Sequence, residues 1–325
     1  MNNMTKVLFS FSALIFFSFN VFTQATINDG IAAFNKGLEE RQVENYGEAL
    51  NLFSEALKIA NELGEEGDEL KVKIQTLLPG LHYQIGMALY NEKKIDEAIA
   101  NFKETMNLAD SYGDFDVADK ASNALSQLYY YQGSVSYKQN MFSEALDLFN
   151  KSIDLQPDNV KAYYMIAAVY KGLEDDDSVL ASAKKSAEMA KAGNDTKYYD
   201  GSLKLGRDYF LIKASSAKDA KKYDEAIKYL KNSLEFDGES STTYFLMVQI
   251  YNSQQKWDET IAAANKGLEY ENNDPLEKAK FYYELGNAFM GKNENEKACD
   301  AFRKSAVGPF KESAEYQIKH VLKCE

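Results

Sequence analysis

Proline is scarce, with 4 in 325 residues. A chain so rarely interrupted is free to run in helices, because proline removes a backbone donor and clashes with the preceding turn. Basic blocks are missing too. Arg41, Arg207 and Arg303 are the three arginines, and the formal net charge is −13. A nucleic-acid binder needs a cationic face to displace counterions from phosphates, so nucleic acid and anionic membrane surfaces are poor partners. His82 and His320 are the two histidines, and Cys299 and Cys324 the two cysteines. Their spacing matches no zinc site. No glycine-rich phosphate loop, nucleophile elbow or paired-carboxylate motif occurs. The expectation is a non-enzyme with no metal and no cofactor. The acidic run Glu174-Asp175-Asp176-Asp177 lacks the alternation and the glycine of a calcium loop, and it reads as a solvated turn.

Long apolar runs are missing except at the start. Lys6 precedes an apolar stretch from Val7 to Phe22, and Thr23-Gln24-Ala25 offers small residues at the −3 and −1 positions of a cleavage site. Residues 1–25 are expected to be a signal peptide. The run is shorter than the ~20 residues of a spanning helix, so no integral membrane segment is expected after cleavage. No cysteine lies near the cleavage point, which argues against a lipid anchor. The mature chain is expected to be exported, periplasmic or extracellular, and a candidate member of an envelope assembly.

What the chain does have is a recurring phrase: Tyr46-Gly-Glu-Ala49, Ile95-Asp-Glu-Ala98, Phe142-Ser-Glu-Ala145, Tyr223-Asp-Glu-Ala226, Trp257-Asp-Glu-Thr260 and Asn295-Glu-Lys-Ala298. Twelve residues before the alanine stands Gly37, Gly86, Gly133 or Gly286, and Ala214 in a further copy. Four residues after it stands Phe53, Phe102, Phe149, Leu230 or Phe302. Pro157 lies twelve residues beyond Ala145.

This pattern resembles the tetratricopeptide repeat, a unit of about 34 residues with a small residue at position 8, Ala at 20, an aromatic at 24 and Pro at 32. The resemblance implies an all-α fold, a right-handed α-solenoid of antiparallel helix hairpins. Positions 8 and 20 are expected to be the close crossing of the two helices. Asp96, Ser143, Asp224 and Asp258 stand where second helices begin and are expected to cap them. Unit starts fall at Gly30, Pro79, Ser126, Val160, Arg207, Ser241 and Ala279, giving a solenoid over 26–310. The wider spacings carry Gly67-Asp68, Gly113-Asp114 and Gly193-Asn194-Asp195, read as turns between lengthened helices. Two units are degenerate, with Val179 and Ala183, and Thr260 and Ala264, at positions 20 and 24. They are expected to be weak interfaces. Residues 311–325 suit a C-terminal capping helix. Cys299 and Cys324 are either bridged or two free thiols.

Tyrosine, at 22 residues, supplies the candidate site. The resemblance implies that position 4 packs inward, where Ala33, His82, Tyr129, Tyr163, Phe210, Tyr244 and Tyr282 stand. Positions 2, 5, 9 and 12 of each first helix then line a concave groove. Adjacent residues on a helix are about 100° apart, so one face cannot bury both columns. Groove candidates are therefore Phe34, Tyr83, Tyr90, Tyr130, Tyr137, Tyr164, Phe245, Gln249, Tyr283 and Asn287. Tyrosine with Asn and Gln offers apolar area at low entropy cost plus hydrogen bonds. The expected function is non-catalytic: an interaction module or assembly adaptor holding a peptide or partner protein. The alternative is an exported glycan-binding protein that stacks sugars on the same tyrosines. The two-carboxylate clamp of some family members needs Lys at 5 and Asn at 9. Here those positions read Phe34/Leu38, Tyr83/Met87, Tyr130/Ser134, Tyr164/Ala168 and Leu211/Ser215, so that ligand class is not implied.

Overall fold

The computed structural model describes residues 25–271 and 274–324. All but the last residue of the expected signal peptide lies outside them. The described residues contain helices and turns and no strand. The helices are α1 Ile27–Gln42, α2 Tyr46–Leu63, α3 Asp68–Asn91, α4 Ile95–Tyr112, α5 Phe115–Lys138, α6 Phe142–Leu155, α7 Val160–Leu173 and α8 Asp176–Ala192. They continue as α9 Thr196–Asp219, α10 Tyr223–Leu234, α11 Ser241–Ser253, α12 Trp257–Tyr270, α13 Pro275–Gly291, α14 Asn295–Ser305 and α15 Lys311–Tyr316. Odd and even helices pair as hairpins from α1–α2 to α13–α14. The chain divides into two compact units, Met1–Ala121 and Ser122–Glu325.

Every hairpin turn has the same backbone device. Glu44, Lys93, Asn140, Glu174, Lys221, Gln255 and Asn293 all have positive φ. Each is the fifteenth residue counted from the unit starts given above. The left-handed conformation ends the first helix, and the second begins two residues later. None of these residues is glycine, so no composition signal marks the turn. The wider spacings are helix. α3, α5 and α9 each run 24 residues, and α2 joins α3 through a 3₁₀ turn at Gly64–Gly67.

The expected capping residues need correction. α4, α6, α10 and α12 are preceded by Lys94, Met141, Lys222 and Lys256, none of which caps through its side chain. Asp96, Ser143, Asp224 and Asp258 lie inside the first turn, where the three acids face the positive end of the helix dipole. True side-chain caps occur elsewhere, at Asn159, Asp175, Asp195, Ser240 and Asp274.

A ring fills the close approach within these hairpins. A Cβ added at Gly37 would lie 2.6 Å from the Phe53 ring, and at Gly286 2.7 Å from the Phe302 ring. Gly86 and Gly133 meet Phe102 and Phe149 in the same way. The glycine at position 8 thus makes room for the ring at 24. The alanines Ala49, Ala98, Ala145, Ala226 and Ala298 are nonetheless fully buried.

The degenerate α11–α12 hairpin keeps its core by borrowing a ring. In α11–α12, Ala264 stands where others have Phe, and Phe281 of α13 is buried beside it. A Cβ at Gly267 would collide with that ring. Phe281 lies 5.2 Å from Phe245, the same relation that Tyr83 has to Phe102 at 5.6 Å. In α7–α8, Ala183 stands in place of the ring and is fully buried, while on the outer side Tyr164 packs edge-on against the half-buried Tyr198 of α9 at 5.5 Å. Val179 and Thr260 are fully buried, and the Thr260 hydroxyl is satisfied by the Lys256 carbonyl at 2.9 Å. Both hairpins belong to one large core that runs from Ala167 to Ala301.

The acidic turn is likewise more than solvated. Asp176 at the start of α8 accepts hydrogen bonds from Tyr209 of α9 at 2.6 Å and Tyr229 of α10 at 2.8 Å. Lys213 lies 3.5 Å away. Partial burial pushes the Asp176 carboxyl up, but the two hydroxyls and Lys213 outweigh it and hold the group below the ordinary carboxylate range. Burial and then Asp176 push both tyrosines up. A carboxyl depressed by folding stabilises the fold above its unfolded pKa, near 3.9, and the contribution is lost as pH falls through the folded value. Asp176→Ala should lower stability by about 1.5–3 kcal/mol at neutral pH. Urea midpoints measured from pH 7 to pH 2 should converge with those of the native chain in acid. Parallel curves across that range would contradict the assignment.

At the C-terminal end, α15 seats Ala314 against Ala298 and Phe302, with Ile318 and Leu322 alongside. Tyr316 and Val321 stay exposed. Cys324 lies against Cys299, with Cα atoms 5.9 Å apart and the sulfurs at bonding distance.

Candidate partner-binding surface

Five of the seven position-5 side chains share one environment. In the first unit, Phe34 packs on Phe53 and Tyr83 on Phe102, each at 5.6 Å between ring centres. In the second, Tyr130 packs on Phe149 at 5.7 Å, Phe245 on Phe281 at 5.2 Å and Tyr283 on Phe302 at 5.5 Å. All five partner rings are buried, and all five position-5 rings are half-buried. Each ring therefore has one side on the core and one edge left over. Tyr90 is more open, at 47 % exposed. Tyr137 is half-buried against Phe142 at 5.9 Å.

Position 4 is less uniform than expected. Phe210 and Tyr129 are buried, while His82, Tyr163, Tyr244 and Tyr282 are half-buried. His82 faces Asn101, with Nδ1 to Oδ1 at 3.1 Å. The contrast between neighbouring columns is clear at Tyr129 and Tyr130 and lost at Tyr163 and Tyr164. The polar candidates are held within the fold. Gln249 accepts from Lys218 at 3.4 Å, and Asn287 donates to Glu284 at 3.3 Å. Glu284 also accepts from Asn252.

Within the second unit the structure brings three tyrosines together, Tyr130 of α5, Tyr164 of α7 and Tyr198 of α9. Burial pushes the Tyr130 hydroxyl up, and the nearby Tyr198 adds to that while Ser134 and Lys161 oppose it. The Lys197 ammonium sits 5.2 Å over the Tyr198 ring. Tyr198 was not among the residues expected from sequence. It lies in the part of α9 that precedes the repeat frame, so counting positions within units passes over it. The Tyr198-Tyr199 pair at the start of a lengthened helix was the available signal.

Among the described residues no helix is long and apolar enough to cross a membrane. Family models described as "Tetratricopeptide repeat" match residues 126–159 and residues 79–112 and 279–306. No curated protein matches the chain. Among solved structures, the P58(IPK) TPR domain is 14% identical, with coverage of 90% of this chain and 98% of that one and a TM-score of 0.31. A tetratricopeptide repeat protein from Parabacteroides merdae is 15% identical, covering 92% and 100%, with a TM-score of 0.29. YrrB, described as a TPR protein with an unusual peptide-binding site, is 20% identical, covering 60% and 88%, with a TM-score of 0.28. At such scores these likenesses bear no functional weight. The three matched segments do: residues 79–112, 126–159 and 279–306 are tetratricopeptide repeats.

Proposed function

We propose that the chain is a non-catalytic interaction module that holds a peptide or a segment of a partner protein on the faces of its first helices. The matched repeats support a protein–protein interaction module. The observation that carries the finer reading is the row of half-exposed rings, each backed by a buried ring. A rigid aromatic whose inner side is already packed loses little entropy when a ligand covers its outer edge. We further read the chain as seven repeats that are exported after removal of residues 1–25 and act within an envelope assembly.

A peptide array and a glycan array, probed with residues 26–325, test the reading. Peptides should be retained and glycans should not. Tyr130→Ala should weaken retained peptides by about 2 kcal/mol or more, as a hot-spot anchor does, with a modest fall in melting temperature. Tyr129→Ala, one position along the same helix, should instead destabilise the fold by about 3–5 kcal/mol, as truncation of a buried aromatic does. Equal unfolding by both would place Tyr130 in the core and remove the main support. Binding to glycans alone would favour the sugar-stacking alternative.

A further inference from the structure

Of the three arginines in the chain, two are engaged by acids of the fold. Arg207 pairs with Asp208 at 2.9 Å and with Asp237 at 3.7 Å, and Arg303 pairs with Asp300 at 3.1 Å. Arg41, at the end of α1, forms no ion pair among the described residues. It is half-buried, and the formal net charge of −13 makes acids abundant. The adjacent Glu40 accepts from Asn45 at 2.7 Å instead. Glu39 lies about 200° round the helix from Arg41, and Glu44 belongs to the left-handed turn. The wall opposite Arg41 is α3. Its residues 74–91 contain no Asp, Glu, Lys or Arg, in a chain that is 27% charged.

Gln84 of α3 fixes how the guanidinium lies. Its Oε1 accepts from Arg41 Nε at 2.8 Å, which leaves the two terminal nitrogens as the free donors. Nη2 lies beside Gly80. A Cβ added at Gly80 would stand 3.5 Å from Nη2 and within 4 Å of nothing else. The missing side chain therefore leaves open space against the terminal nitrogens. Tyr83, half-buried on Phe102, stands three residues beyond Gly80, about 4.5 Å along the axis. Met87 and Tyr90, further along, are exposed. A planar guanidinium in apolar surroundings, with Nε already engaged, matches a carboxylate, which takes two parallel N–H bonds. No second cation stands on this stretch of α3, so a single negative charge fits better than a phosphate dianion.

Resting on the peptide-binding reading above, we propose that Arg41 and Gly80 form a subsite for one carboxylate of a partner's peptide segment, an acidic side chain or a free C-terminus. An aromatic or apolar side chain beside that acid lies on Tyr83. An extended chain gains about 3.3–3.6 Å per residue, so the two groups are within about two residues of each other. Arg41 stands at position 12, and positions 5 and 9 of its unit are Phe34 and Leu38, so the arrangement is separate from the two-carboxylate clamp.

The test titrates four fluorescein-labelled probes against residues 26–325 by anisotropy. Two are amidated, Gly-Ser-Ala-Phe-Ala-X-Ala-Gly with X as Glu or Gln. Two are Gly-Ser-Ala-Phe-Ala, ending in a free carboxylate or an amide. At least one acid probe should bind about tenfold tighter than its neutral partner, and the pair that shows the gap identifies the source of the carboxylate. Added salt should narrow the gap. Arg41→Gln should abolish it with an unchanged melting temperature, since Gln84 is the one side-chain hydrogen-bond partner of Arg41 among the described residues. Tyr83→Ala should weaken acid and neutral probes alike. Equal binding within both pairs, or a gap that persists in Arg41→Gln, would overturn the carboxylate subsite. If that binding still falls in Tyr83→Ala, the peptide-binding reading stands without it. Failure of all four probes to bind would overturn both.

Discussion

Phe281→Ala is expected to lower stability by about 3–5 kcal/mol, the usual cost of truncating a fully buried phenylalanine. The damage should fall on the hairpin before the one that carries the mutation. Phe281 belongs to α13, but its ring covers Gly267 of α12 and packs on Phe245 of α11. Alanine at 281 would leave a cavity between these helices, because Ala264 is too small to fill it. Urea denaturation followed by circular dichroism should show the loss. Hydrogen exchange should show residues 241–270 opening with or before residues 275–305. A loss below about 1 kcal/mol, or exposure confined to α13 and α14, would mean that the borrowed ring is not what closes the α11–α12 hairpin.

Removing the Cys299–Cys324 bridge should have the next largest effect. The two residues are 25 apart in sequence. A crosslink over such a loop restricts the unfolded chain by about 3–4 kcal/mol in the chain-entropy account. The bridge ties the segment bearing Ala314, Ile318 and Leu322 to α14, so its loss should first free that segment. The native chain should show no thiol reactive to Ellman's reagent in denaturant without a reductant. Cys299→Ser with Cys324→Ser should lower the melting temperature and raise exchange at residues 311–322. Two thiols titrating in the unreduced chain, with no response of the melt to reductant, would show that packing alone holds the C-terminal segment. A lasting bridge also fits the proposed export, because disulfides persist in oxidising compartments.

Much of this architecture was legible in the residues. The Gly-to-Ala spacing and the ring four residues later placed the hairpins α1–α2, α3–α4, α5–α6 and α13–α14, because each of these packs its own glycine against its own phenylalanine. The Gly67, Gly113 and Gly193 signals marked the turns between lengthened helices. Ring exchange was not legible. A frame that counts positions within a unit expects Ala264 to leave a gap, and Phe281 lies in the next unit. Helix capping misled because Asp96 and Asp258 look like caps by type. The preceding left-handed residue moves the helix start back by two positions. Among the surface candidates, Tyr130 is backed by the buried ring of Phe149, and Gln249 and Asn287 already hydrogen-bond Lys218 and Glu284.

The borrowed ring imposes a direction on biosynthesis. It comes from the C-terminal side: Phe281 reaches back to α11 and α12. A nascent chain leaving the ribosome completes α3–α4 and α5–α6 as soon as Phe102 and Phe149 have emerged, because those hairpins contain every ring they need. The α11–α12 pair stays without its ring until Phe281 is out. Until then it exposes Ala264 and Gly267, which that ring will cover. That interval, rather than the end of translation, is when the hairpin offers its uncovered face to a chaperone or a protease.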